Sequence, residues 1–137
     1  MDQIIIEKKI DSILRCVERV QTRLPKTKEL FFNDLDAQDV VVLNITRSVQ
    51  LSVDIAMHLC VESSQAVPQT MSSAFDCLYN LSIINETITT KMKKSVGYRN
   101  VAVHNYDDID LELTYVIARD FMSDFSEYIR QILKSIA

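Results

Sequence analysis

Tryptophan is absent from these 137 residues, glycine occurs once and proline twice. Tight β-hairpins lean on glycine and asparagine-glycine turns, so this scarcity favours an all-α fold. Cysteine occurs three times, at Cys16, Cys60 and Cys77, with no paired or metal-type spacing. Each lies in an apolar helical pattern, so all three are expected as buried free thiols in a reducing cytosol. No window offers the roughly eighteen uncharged apolar residues of a membrane span. Ile4-Ile5-Ile6 is flanked by acids and lysines with no small-residue cleavage site, so nothing targets the chain to a membrane and a cytoplasmic location is expected. There is no glycine-rich phosphate loop, internal repeat or low-complexity tract, which excludes P-loop chemistry. An excess of positive charge is missing too. Fifteen Lys and Arg face nineteen Asp and Glu, a formal net charge of -4, so a nucleic-acid partner needs a local basic patch to offset the repelling field.

What is present is ordinary for a globular chain, with 47% hydrophobic and 25% charged residues. The length suits one helical domain over residues 1–137, burying roughly two-thirds of the surface that the unfolded chain exposes. From about Gln3 to Leu24, Ile6, Ile10, Ile13, Leu14, Val17 and Val20 recur at intervals of three and four. The spacing predicts an amphipathic helix with an Asp11–Arg15 ion pair, ended by Leu24-Pro25. Lys26 to Asn33 has no clear period and is expected as a connector whose Phe31 and Phe32 pack on the core. Asp34 or Asp36 is the candidate cap for the next helix.

The run from about Asp36 to Ser63 is β-branched at Val40, Val41, Val42 and Ile45, but it is far too long for one strand and holds no turn signal. It is expected as a central helix, apolar over much of its circumference. Arg47, Gln50, Asp54 and His58 follow at three, four and four along one stripe, which predicts a solvated or hydrogen-bonded seam. His58 as a catalytic residue or metal ligand lacks a second ligand at a helpful spacing. Beyond Pro68 come a cap, a short helix from Met71 to Leu78, and a break at Asn80 and Ser82. A further helix runs from about Ile84 to Val96, with Glu86 early and Lys91, Lys93 and Lys94 late, and Gly97 is expected to end it as a C-terminal cap. Asp107, Asp108 and Asp110 read as turn and cap residues before a last helix from about Leu111 to Ile136. The sum is an up-down bundle of four main helices plus a short one.

The stretch that stands out is Arg99-Asn100-Val101-Ala102-Val103-His104-Asn105-Tyr106. If it is helical, Asn100 and His104 are i,i+4 neighbours, and Arg99 and Tyr106, at i,i+7, share an adjoining face. A guanidinium binds phosphate bidentately, and an imidazole exchanges a proton at neutral pH. These are the functions a metal-free ribonuclease needs to drive a 2′-hydroxyl onto its own phosphodiester. One Arg99 and one His104 make a poor acid–base set, whereas a symmetric dimer supplies two of each. Lys91, Lys93, Lys94 and Arg99 form either a local positive funnel or a solvated helix end. An Arg-x4-His spacing is common in helical proteins, so on spacing alone packing and capping roles are the better reading of the same residues.

Arg-x4-His-x-Tyr, here Arg99, His104 and Tyr106 with Asn100 after the arginine, resembles the signature of the HEPN superfamily and, in full form, of the HepT-like toxins. The resemblance extends to Arg47–Gln50, Asp54–Leu59, Pro68–Leu78 and Asp107–Asp110. It implies a homodimeric, metal-independent endoribonuclease that needs no cofactor, with Arg99 and His104 of both copies lining a cleft at the dimer interface and Asn100 in support. It also implies a minimal nucleotidyltransferase antitoxin of the MntA type, which neutralises the toxin by adenylylating Tyr106. The alternatives left open are a module that binds a nucleotide or assists a nucleotidyltransferase without cutting RNA, and a purely structural helical adaptor.

Overall fold

The computed structural model describes residues 2–64 and 66–137. Among these the chain folds into helices alone: α1 (Asp2–Arg23), α2 (Lys28–Phe32), α3 (Leu35–Ser64), α4 (Met71–Asn80), α5 (Glu86–His104), α6 (Leu111–Val116) and α7 (Ser123–Ile136). A 3-10 turn spans Tyr106–Asp108, and a π-helical turn, Ile117–Phe121, joins α6 to α7. The four long members expected from the sequence are α1, α3, α5 and the α6–α7 path, and α4 is the short one. The connector Lys26–Asn33 departs from expectation by holding α2, which Thr27 caps by accepting from the Leu30 amide at 3.2 Å.

α3 is the axis on which α1, α4 and α5 pack. Its Val41, Ile45, Val49, Val53, Ile55, Ala56 and Leu59 are all buried, in one apolar cluster with Ile6, Ile10, Ile13, Val17 and Val20 of α1 and Phe125, Ile129 and Ile132 of α7. α3 is long and apolar enough to cross a membrane by length and composition, but most of its apolar residues are buried against other helices here, with Leu35, Leu43 and Val61 exposed. The β-branched residues that argue for a strand are overridden because a 30-residue helix buries them on several sides at once. Its buried Asn44, Ser48 and Ser52 each donate to a carbonyl one turn back, at 2.8, 2.8 and 2.7 Å, so they enter the core without losing a partner for the donor. Phe31 is fully buried and meets Tyr115 at 5.6 Å between ring centroids, whereas Phe32 stays 41% exposed, so only the first of the pair packs on the core.

Asp34 caps α3 by accepting from the Ala37 amide, Thr70 and Ser73 form a capping box on α4, and Asp110 caps α6. Two local expectations are corrected. The Arg15 guanidinium donates to Ser12 Oγ at 3.1 Å, one turn away on its own helix, instead of pairing with Asp11. Of the three cysteines only Cys16 is a buried free thiol, because the packing of α4 on α3 brings Cys60 and Cys77 to a Cα separation of 6.3 Å and joins them as a disulfide.

Candidate active site

The site is built where α5 ends. Asn85 starts the helix by accepting from the Ile88 amide at 2.9 Å, and Ile88, Met92, Val96 and Ala102 bury one face. The helix does not stop at Gly97, where a glycine cap is expected from the sequence. No glycine has a positive φ, which a glycine cap uses, so the helical path continues to His104 and Asn105 becomes the cap. A Cβ at Gly97 would meet nothing within 4 Å. The extension matters because it carries Arg99, Asn100 and His104 on the last turns of one rigid element. Arg99 donates through Nη1 to Asn100 Oδ1 at 3.2 Å, and Asn100 and His104 are exposed, one turn apart. His104 occupies the last turn.

Tyr106 is not on that helix, so the i,i+7 relation to Arg99 is not a helical one. The chain turns at Asn105, and the 3-10 turn closes with Asp108 N donating to Asn105 O at 2.8 Å and Ile109 N to Tyr106 O at 3.1 Å. The turn swings the Tyr106 ring toward α3, where its hydroxyl donates to Asp39 Oδ1 at 2.5 Å. Burial of the hydroxyl end, then the hydrogen bond to Asp39 and its charge, then Tyr98, push the Tyr106 phenol up to about 12, although the residue as a whole is 49% exposed. Tyr98 is pushed to about 12 by burial, opposed in part by its bond to Thr114 Oγ1 at 2.8 Å, which ties α5 to α6.

The basic run is weaker than its sequence implies. Lys91 reaches Asp124 at 3.2 Å and Lys93 reaches Asp76 at 3.0 Å, so two of the three lysines are ion-paired to neighbouring helices. Arg99 and Lys94 lack a carboxylate partner among the described residues. The stripe on α3 is a hydrogen-bonded seam: Gln50 donates to Asp54 at 2.9 Å, Lys9 of α1 lies 3.6 Å from Asp54, and His58 Nε2 lies 3.6 Å from Glu62. No group of three or more His, Cys, Asp or Glu that could hold a metal occurs among the described residues. Two open clefts, of about 630 and 790 Å³, lie around Asn85, Lys91 and Arg130 at the other end of α5, and neither is lined by Arg99, His104 or Tyr106. Asn100, His104 and Tyr106 are themselves exposed, so these side chains are on the surface of this chain. Asp39 is the member that sequence reasoning missed, since nothing near it in the chain points to Tyr106.

An all-α bundle with Arg-Asn-x3-His closing a core helix and a tyrosine in the next turn defines a HEPN-type helical protein. The chain belongs to the ribonuclease HepT-like family, whose profile matches residues 13–132. It is 33% identical over 129 residues to an mRNA nuclease HepT of Shewanella oneidensis, covering 94% of this chain and 96% of that one. It is 23% identical over 132 residues to a tRNA nuclease HepT of Aphanizomenon flos-aquae, covering 96% and 90%. Among solved structures it resembles a tri-AMPylated Shewanella oneidensis HEPN toxin in complex with MNT antitoxin, with a TM-score of 0.89 and 32% identity over 95% of this chain and 97% of that one.

Proposed function

We propose that the protein is the ribonuclease toxin of a toxin–antitoxin pair, and that Arg99 and His104 carry the cut. The observation behind this reading is that the last turns of α5 carry a half-buried guanidinium and an exposed imidazole five residues apart, in a chain whose relatives are named as RNA nucleases. In the reaction a base removes the proton of an RNA 2′-hydroxyl, whose oxygen attacks the adjacent phosphorus. The bond to the 5′-oxygen breaks, and an acid returns a proton to that oxygen, leaving a 2′,3′-cyclic phosphate. Arg99 neutralises charge growing on the phosphoryl oxygens, and Asn100, bonded to Arg99, holds the guanidinium in place.

In an in-line displacement the attacking and leaving oxygens lie on opposite sides of phosphorus, so one imidazole is poorly placed to act as base on one and acid on the other. Since Asn100, His104 and Tyr106 are exposed, the complete cleft is formed by two copies of the chain meeting at α5, each giving Arg99 and His104. No metal step is required, because the guanidinium supplies the positive charge and the imidazoles the proton transfers. The partner that silences the toxin is a minimal nucleotidyltransferase, and its target is Tyr106. An adenylyl group there adds a bulky anion to the turn that follows Arg99 and His104, so it occupies the phosphate site and repels RNA.

RNA cleavage in excess chelator tests the reading. Wild-type protein is expected to cut, and Arg99→Ala or His104→Ala to lose about a hundredfold or more of the rate with helical content intact. Undiminished cleavage by either variant overturns the assignment, and an unmodified wild type that binds nucleotide but cuts no RNA favours the non-catalytic module.

A further inference from the structure

The Tyr106 hydroxyl is a poor nucleophile as it stands. Burial and then the Asp39 carboxylate raise the phenol to about 12, so close to neutral pH the hydroxyl keeps its proton. The groups acting on it are Asp39 from α3 and Tyr98 from α5. Of these only Asp39 is in contact, with Oδ1 accepting the hydroxyl hydrogen at 2.5 Å. A carboxylate in that position disfavours a free phenolate, yet it is placed to receive the proton as a bond forms to the phenol oxygen.

Resting on the reading that Tyr106 is the adenylylated residue, we propose that Asp39 is the general base of that modification and a catalytic residue contributed by the toxin to its own silencing. In the step, Tyr106 Oη forms a bond to the α-phosphorus of ATP and the bond from that phosphorus to the bridging oxygen of the β-phosphate breaks. Pyrophosphate leaves with the electron pair, and the phenolic proton passes to Asp39. Asp39 needs no rearrangement, because the hydrogen bond along which the proton moves already exists and α3 fixes its position in the second turn.

The test is adenylylation of the full chain by its cognate nucleotidyltransferase with ATP and magnesium, at saturating enzyme, followed by mass across a pH series. Wild type should be labelled at Tyr106, and Tyr106→Phe should not; a wild type labelled elsewhere or not at all overturns the underlying functional reading instead. Asp39→Asn keeps an oxygen to accept the hydrogen bond but cannot take the proton. It should label about a hundredfold more slowly close to neutral pH and regain rate as the pH rises and solution base takes over. Asp39→Ala should be slow and should recover with added formate. Wild-type rates in Asp39→Asn, or a loss that neither pH nor formate relieves while circular dichroism shows an intact fold, would overturn the proposal.

Discussion

At the residue scale the tyrosines of the α5 end make a pH prediction. Both Tyr98 and Tyr106 hold the neutral phenol more firmly folded than unfolded, so each binds its proton over a wider pH range in the native state. Their contribution is therefore present in full below the unfolded value near pH 10 and is lost as the pH climbs toward about 12. Urea midpoints measured across that window should fall, and Tyr98→Phe and Tyr106→Phe should each flatten the fall; a curve unchanged in both variants would contradict the assigned environments. The polar residues differ in how readable they are. Arg99, Asn100 and His104 are legible because their relation is helical and local. Asp39 is not, because its contact with Tyr106 spans 67 positions and depends on a turn bringing the ring back to α3. The loss of two lysines to Asp76 and Asp124 is hidden for the same reason, since partners on other helices leave no spacing to find.

At the scale of elements, the apolar periods of α1 and α3 locate the core well. Ile6, Ile10, Ile13, Val17 and Val20 are buried as their spacing requires, whereas Leu14, in the same pattern, stays 44% exposed. Boundaries fail where one residue type has two uses. Gly97 resembles a cap because glycine tolerates left-handed backbone, but here it sits in the helix interior, where a weak helix former carries the same letter as a stop signal. The π turn at Ile117–Phe121 is likewise unmarked by proline or glycine, so the sequence reads as one unbroken helix from Leu111. Gly97 also gives the element its test. With nothing within 4 Å of a methyl group added there, Gly97→Ala should stabilise α5 by roughly 0.5–1 kcal/mol, seen as a higher urea midpoint. A lower midpoint, accompanied by weaker self-association, would show instead that the bare backbone at Gly97 is where another copy approaches.

At the scale of the whole molecule, a formal charge of -4 has to coexist with the phosphate-binding site proposed at Arg99. On the proposed reading, a second copy of α5 resolves this locally, because it doubles the Arg99 guanidinium at the cleft without altering the charge per chain. The same arrangement makes activity a property of pairs, which can be measured. If each cleft uses His104 from both copies, a pair with one wild-type and one His104→Ala chain lacks one of the two proton-transfer groups. When the two proteins are unfolded and refolded together in equal amounts, about a quarter of the pairs are fully wild type, so cleavage should fall to about a quarter of the rate of undiluted wild type. A fall to only a half would mean that each chain cuts with its own His104, and the composite cleft would have to be abandoned even if the protein proved to be a nuclease. Varying the mixing ratio separates the two cases, since the paired mechanism follows the square of the wild-type fraction and the independent one follows it linearly.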